Sequence, residues 1–106
     1  MQELEDKDRY HVKEPVTLGV ALERFLASRP HMRERLDEAQ LQQIWRENSI
    51  PYVVEQTRAI RLRQGVLRIE IASSALRANL NMQRDRLSHE LNGRMGRAVV
   101  TKIVFT

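Results

Sequence analysis

Between Thr57 and Ile71 apolar and polar residues alternate with a period of two. Ile60 and Leu62 alternate with Arg61 and Arg63, and Leu67, Ile69 and Ile71 alternate with Arg68 and Glu70. Gln64-Gly65 separates the two runs. This pattern predicts a β-hairpin with one buried face. After Ser73-Ser74 the period changes. Leu76, Leu80, Leu87 and Leu91 stand at i, i+4, i+11 and i+15. They fall on one stripe of a 3.6-residue repeat and predict one long helix from Ser74 to about Asn92. Ser73-Ser74 supplies its N-cap. Gln83 sits at the middle of the stripe where an apolar residue is wanted. Gly93 and Gly96 suit the helix exit, where a left-handed C-cap favours glycine. Ala98 to Phe105 is predicted as a third strand with Val99, Ile103 and Phe105 inward.

The upstream half reads as helical. Thr17 can cap a first helix carrying Leu18, Ala21, Leu22, Phe25 and Leu26 on one face. Arg29-Pro30 stops it, because the residue before proline disfavours helix. Asp37 with Gln40 has the spacing of a capping box and predicts the start of a second helix. Leu41, Ile44 and Trp45 form that helix's inward stripe, and Ser49-Ile50-Pro51 ends it. A further helical turn from Pro51 to Gln56 puts Val53 inward. Residues 1–15 lack apolar periodicity and mix both charges, as a flexible charged tail does. Residues 16–106 then form a single domain in the order α-α-β-β-α-β. The fold class is α+β, a three-stranded sheet with helices on one face.

The segment TRAIRLRQGVLRIEIASSALRANL, Thr57 to Leu80, resembles the core of the DciA family, the bacterial replicative-helicase loaders, formerly a family of unknown function. Trp45 stands upstream at the family's spacing. Leu91-Asn92, Gly96 and Ile103-Val104-Phe105 resemble its closing helix, turn and last strand. The likeness runs over roughly residues 17 to 106. Ser49-Ile50-Pro51 replaces a glycine common in the family, and Leu76 stands where many members have a second tryptophan. The resemblance implies a KH-like fold of the helix-first type, a role in DNA replication, and the replicative helicase as partner.

Charge sharpens this picture. Residues 1–55 hold 8 Lys/Arg against 11 Asp/Glu, a net −3, and residues 56–106 hold 10 against 3, a net +7. Arg outnumbers Lys by 15 to 3. The guanidinium fork grips phosphate or carboxylate at two points, so the basic half suits a polyanion or an acidic protein surface. A solvated sheet face that blunts edge pairing is the plainer alternative. Strand parity puts Arg61, Arg63 and Arg68 on the solvent face of the hairpin, with Lys102 joining from the third strand. Arg77 and Arg84 flank the leucine stripe, and Arg94 and Arg97 flank Gly96. These eight residues are the candidate nucleic-acid contacts. The expected partner is DNA, bound without sequence preference through its phosphates. An RNA-binding KH-like module associated with the ribosome and a protein-interaction adaptor are the alternatives.

Enzyme chemistry finds no foothold in the sequence. His11, His31 and His89 lie in different elements without ligand spacing, so no metal is expected. There is no cysteine. Ser73-Ser74 has the context of a helix cap, not of a nucleophile elbow. No phosphate-binding loop is present, and neither a cofactor nor a small-molecule substrate is expected. No apolar run is long enough to span a membrane, and the N-terminus is too charged for a signal peptide, so a cytoplasmic location is expected. Gly93-Arg94-Met95-Gly96 matches the G-x-x-G of KH domains, but there the loop joins two helices. Here it leads to the last strand and reads as a C-cap. Trp45 lies on an apolar stripe, as a core anchor and not as a stacking platform. Met82 falls on the side of its helix away from the leucines, exposed, where it could belong to an adaptable protein-binding patch or mean nothing.

Overall fold

The computed structural model describes residues 17–106. The tail expected at 1–15, with His11 and Tyr10, lies outside the described residues. The elements are α1 (Leu18–Ala27), α2 (Pro30–Asn48), α3 (Pro51–Gln56), β1 (Thr57–Arg63), β2 (Val66–Ile71), α4 (Ser74–Met82), α5 (Arg84–Met95) and β3 (Lys102–Phe105). The chain divides into two compact units, one ending at Arg33 and one spanning Glu34–Thr106.

In the first unit Thr17 caps α1, its hydroxyl accepting from the Val20 N–H. Leu26 is buried, whereas Leu18, Leu22 and Phe25 are exposed. Of the face on which these residues fall, Leu26 is the buried member. Periodicity tells which residues share a face, not whether that face has a partner. The Arg29 guanidinium lies 3.9 Å from the Phe25 ring centroid and shields part of it.

Arg29-Pro30 ends α1 and also starts α2, with Pro30 as its first residue. Proline is well suited there, because the first helical N–H has no intrahelical partner. The capping box expected at Asp37 is therefore wrong. Asp37 is in mid-helix, buried, and its carboxylate pairs with Arg97 across the fold. Both readings use a carboxylate to accept N–H groups; the one realised is tertiary, and sequence spacing cannot show it.

In the second unit the hairpin is as the alternation predicts. Ile60, Leu62, Leu67, Ile69 and Ile71 are all buried. Gln64 and Gly65 both have positive φ, 51° and 81°. Two such residues match the turn whose twist suits a two-residue hairpin. The sheet order is β1-β2-β3, with β2 antiparallel to β1 and parallel to β3. The Gly65 carbonyl also accepts from the Thr101 N–H at 2.8 Å and the Thr101 hydroxyl at 2.9 Å. A Cβ at Gly65 would stand 2.7 Å from that hydroxyl oxygen. Gly65→Ala should therefore cost about 1–3 kcal/mol, since left-handed strain and the clash act together. Urea unfolding measures it, and a parent-like midpoint would mean that the turn relaxes freely.

The helix predicted from Ser74 to Asn92 is in fact two. Ser73 caps α4 by accepting from the Leu76 N–H, and the helix breaks at Gln83, φ −110° and ψ 10°. The break falls at the one polar position of the leucine stripe. Burying an amide there without partners is costly. At the break Gln83 bonds Asn79 and Arg86 instead, and Leu80 and Leu91 still reach the core. Gly96 ends α5 as a left-handed C-cap, as read from sequence. The third strand is shorter than expected, Lys102–Phe105 rather than Ala98–Phe105. Asn92 holds the preceding loop. Its Oδ1 accepts from the N–H groups of Val99 and Val100 at 2.9 and 2.8 Å, and its Nδ2 donates to the Val100 carbonyl at 2.8 Å. Val100 is thereby the fully buried residue of the loop, and Val99, expected inward, is only half-buried.

The core lies between the inward sheet face and the helices, with Leu41, Trp45, Leu80 and Leu91 over the strands. Trp45 is buried, its Nε1 donates to the Thr57 hydroxyl at 3.0 Å, and its ring meets Phe105 at 6.0 Å between centroids. It is the anchor that its stripe predicts.

Candidate nucleic-acid interface

The pleat sends every second side chain of the sheet away from the core. Arg61, Arg63, Arg68 and Lys102 are exposed on that outer face. The register places them closely. Arg61 is directly opposite Arg68, whose other neighbour is Val104. In the next row Arg63 is opposite Val66, which neighbours Lys102. Strands lie about 4.8 Å apart, so Arg63 and Lys102 stand roughly 10 Å from each other across Val66. Glu70 is the acid on this face, one row beyond the arginines. No aromatic residue points outward from the sheet among these positions.

The basic residues differ in how free they are. Arg63 Nη1 contacts Glu38 Oε2 at 3.0 Å, so part of its charge is met within the fold. Glu38 belongs to a stripe that sequence reasoning missed. Leu62 N–H donates to Glu38 Oε2 at 2.9 Å and Gln64 N–H donates to Glu34 Oε2 at 2.8 Å, while Gln42 Nε2 donates to the Ile60 carbonyl at 3.0 Å. Residues 34, 38 and 42 rise about 6 Å per step along a helix. Residues 60, 62 and 64 rise about 6.6 Å per step along a strand. The near-match lets one face of α2 satisfy the outer edge of β1. An acid, acid, amide series at i, i+4, i+8 is the signal that carried this information.

The remaining candidates lie on the helical side. Arg77 Nη1 donates to the Ile71 carbonyl at 2.7 Å and ties α4 to the end of β2. Arg97 pairs with the buried Asp37, although its side chain stays 41% exposed. Arg94 borders a cavity of about 60 Å³ beside Trp45 and Leu91. Arg84 is exposed at the start of α5 and borders a larger cleft, about 560 Å³, shared with Asn81, Asp85 and the strand Lys102–Phe105. The structure thus brings Arg61, Arg63, Arg68 and Lys102 onto one surface, and it leaves Arg77, Arg94 and Arg97 elsewhere. His31 and His89 are exposed, and among the described residues no three His, Cys, Asp or Glu side chains converge as metal ligands. No helix among the described residues is long and apolar enough to cross a membrane. Met82, at the break between α4 and α5, is 79% exposed, as its helical position predicts.

The family model described as "Dna[CI] antecedent, DciA" matches residues 17–105. The chain belongs to the DciA family. No curated protein and no solved structure matches it at a significant level. DciA proteins are a DNA-replication accessory family, associated with loading of the replicative helicase and not a known enzyme family. The matched span takes in the hairpin, the Ser73 cap, Trp45 and the closing strand, the same residues on which the resemblance rests.

Proposed function

We propose that this DciA-family chain is a non-enzymatic accessory of the replicative helicase that holds DNA by its backbone on the outer face of the sheet. One observation carries the nucleic-acid part. Arg61 and Arg68 are directly paired across two strands, with Arg63 and Lys102 in the adjoining row. Like charges directly opposite each other destabilise a sheet. A row of phosphates removes that penalty and gains charge-assisted contacts from each guanidinium. The same face offers no stacking aromatic, so it grips backbone and does not read bases. The helicase as partner rests on family membership. A KH-like arrangement is supported by the α4–α5 junction, since in KH domains the nucleotide-gripping loop joins two helices. That junction is at Gln83, ten residues before Gly93, and it lacks the glycine pair.

The reading predicts steep salt dependence. If the face neutralises about four to six phosphates, affinity falls by roughly two to three decades between about 50 and 200 mM salt. Fluorescence anisotropy on oligonucleotides of unrelated sequence measures this. Binding that ignores salt, or that selects one sequence, would overturn the electrostatic account. Binding of an acidic protein with no binding of nucleic acid would make the face an adaptor surface instead.

A further inference from the structure

We propose that Glu38 is an internal competitor for the sheet face, a carboxylate that occupies Arg63 and limits how tightly that face holds phosphate. The inference rests on the nucleic-acid reading above and adds a control on it. Among the described residues Arg61, Arg68 and Lys102 meet no carboxylate, and Arg63 is the one basic residue of that face in an ion pair. Its partner stands on α2, the helix whose side chains also satisfy the β1 edge. Carboxylate and phosphate oxygens suit the same guanidinium fork. A phosphate that takes Arg63 must therefore displace Glu38 or share the charge with it.

Both partners tolerate the exchange. The Arg63 side chain is 65% exposed, and exposed ion pairs hold weakly and are screened by salt. Glu38 is only 18% exposed, but it is not stranded when Arg63 leaves. The same Oε2 still accepts from the Leu62 N–H at 2.9 Å, so α2 keeps its hold on β1. The pair of Arg97 with Asp37 differs on this point. Asp37 is buried, and among the described residues its carboxylate has Arg97 as its side-chain partner. Drawing Arg97 away would leave a buried charge unpaired, which is strongly destabilising. Of the two ion pairs that hold candidate contacts, the one at Arg63 opens to an anion and the one at Arg97 stays shut. Arg97 is thus a tie between α2 and the loop before β3, and Glu38 is the acid that tunes binding.

The test is a double-mutant cycle on one duplex oligonucleotide. The parent chain, Glu38→Gln, Arg63→Gln and the double variant are compared by anisotropy between about 50 and 200 mM salt. Glutamine keeps an oxygen that accepts from the Leu62 N–H, so Glu38→Gln should melt like the parent. It is expected to raise affinity at the low-salt end by about fivefold. It should also steepen the slope of log affinity against log salt by about 0.9, the mark of one more phosphate neutralised. In the Arg63→Gln background the same substitution should change affinity by less than about twofold. The parent chain gives a second readout by NMR. Adding the duplex should move the Arg63 Nε–H signal, while the Leu62 amide stays protected from hydrogen exchange. Equal gains in both backgrounds would make Glu38 a diffuse charge and overturn the competition. So would no gain, a gain without the steeper slope, or an Arg63 signal that DNA leaves unmoved; each of these leaves Arg61 and Arg68 standing as the grip. A parent chain that binds no DNA would overturn the nucleic-acid reading itself, and this inference with it.

Discussion

Trp45→Ala should lose about 3–5 kcal/mol of stability, a large share of the 5–15 kcal/mol typical of a folded domain. Trp45 is buried between α2 and the sheet, against Phe105. Truncation removes the ring contacts and leaves a cavity that Leu41 and Leu91 cannot fill without moving. It also takes the donor from the Thr57 hydroxyl, which itself donates to the Val53 carbonyl at 2.7 Å. That hydroxyl fixes the passage from α3 into β1, so the loss is felt where the hairpin begins. Trp45→Phe keeps most of the packing and should cost less, with about 1 kcal/mol assigned to the lost hydrogen bond. Thermal and urea melts separate the two variants. A Trp45→Ala chain that melts like the parent but loses a ligand would make Trp45 a contact residue.

The second large effect is on binding. Arg61→Glu with Arg68→Glu reverses the centre of the sheet face. The opposed pair stays a like-charge pair, so the fold gains no new penalty, and exposed substitutions usually change stability by about 0.5 kcal/mol or less. Nucleic-acid affinity at about 50 mM salt should drop on the order of 100-fold, because two phosphate contacts become two repulsions. Arg63 is deliberately spared. Arg63→Glu would place a carboxylate beside Glu38, which already accepts from Leu62 N–H. Its effect on binding would then be mixed with one on the β1 edge.

Much of the fold was legible because it rests on local periodicity. The hairpin, its buried face, Leu41 and Trp45 in the core, the short turn at Pro51–Gln56, the Ser73 cap and the Gly96 C-cap all follow from spacing and turn chemistry. The departures come from side-chain pairing and exposure that spacing does not show. Asp37 and Gln40 have capping-box spacing, but Asp37 is needed for Arg97, sixty residues away. The leucine stripe runs through α4 and α5 as read, yet Gln83 divides the helix. Ala98–Thr101 has strand-like composition, but Asn92 holds it as a loop. The face of α1 was legible as a face and its exposure was not. At the candidate site, strand parity placed Arg61, Arg63, Arg68 and Lys102 on the exposed side of the sheet. Parity could not tell that β1 and β2 set Arg61 against Arg68, that β3 lies parallel beside β2, or that Glu38 holds Arg63. Those depend on register and on which helix covers which edge.

The central claim joins two partners on one small chain, and a single measurement tests it. The replicative helicase of the same organism is mixed with the chain and with labelled single-stranded DNA, and the mixture is resolved by size-exclusion chromatography. The account predicts that the parent chain co-elutes with helicase and DNA. The Arg61→Glu, Arg68→Glu variant should still co-elute with the helicase while its own DNA binding, measured apart by anisotropy, is lost. A parent chain that elutes away from the helicase, or a variant that loses the helicase and keeps DNA, would contradict it.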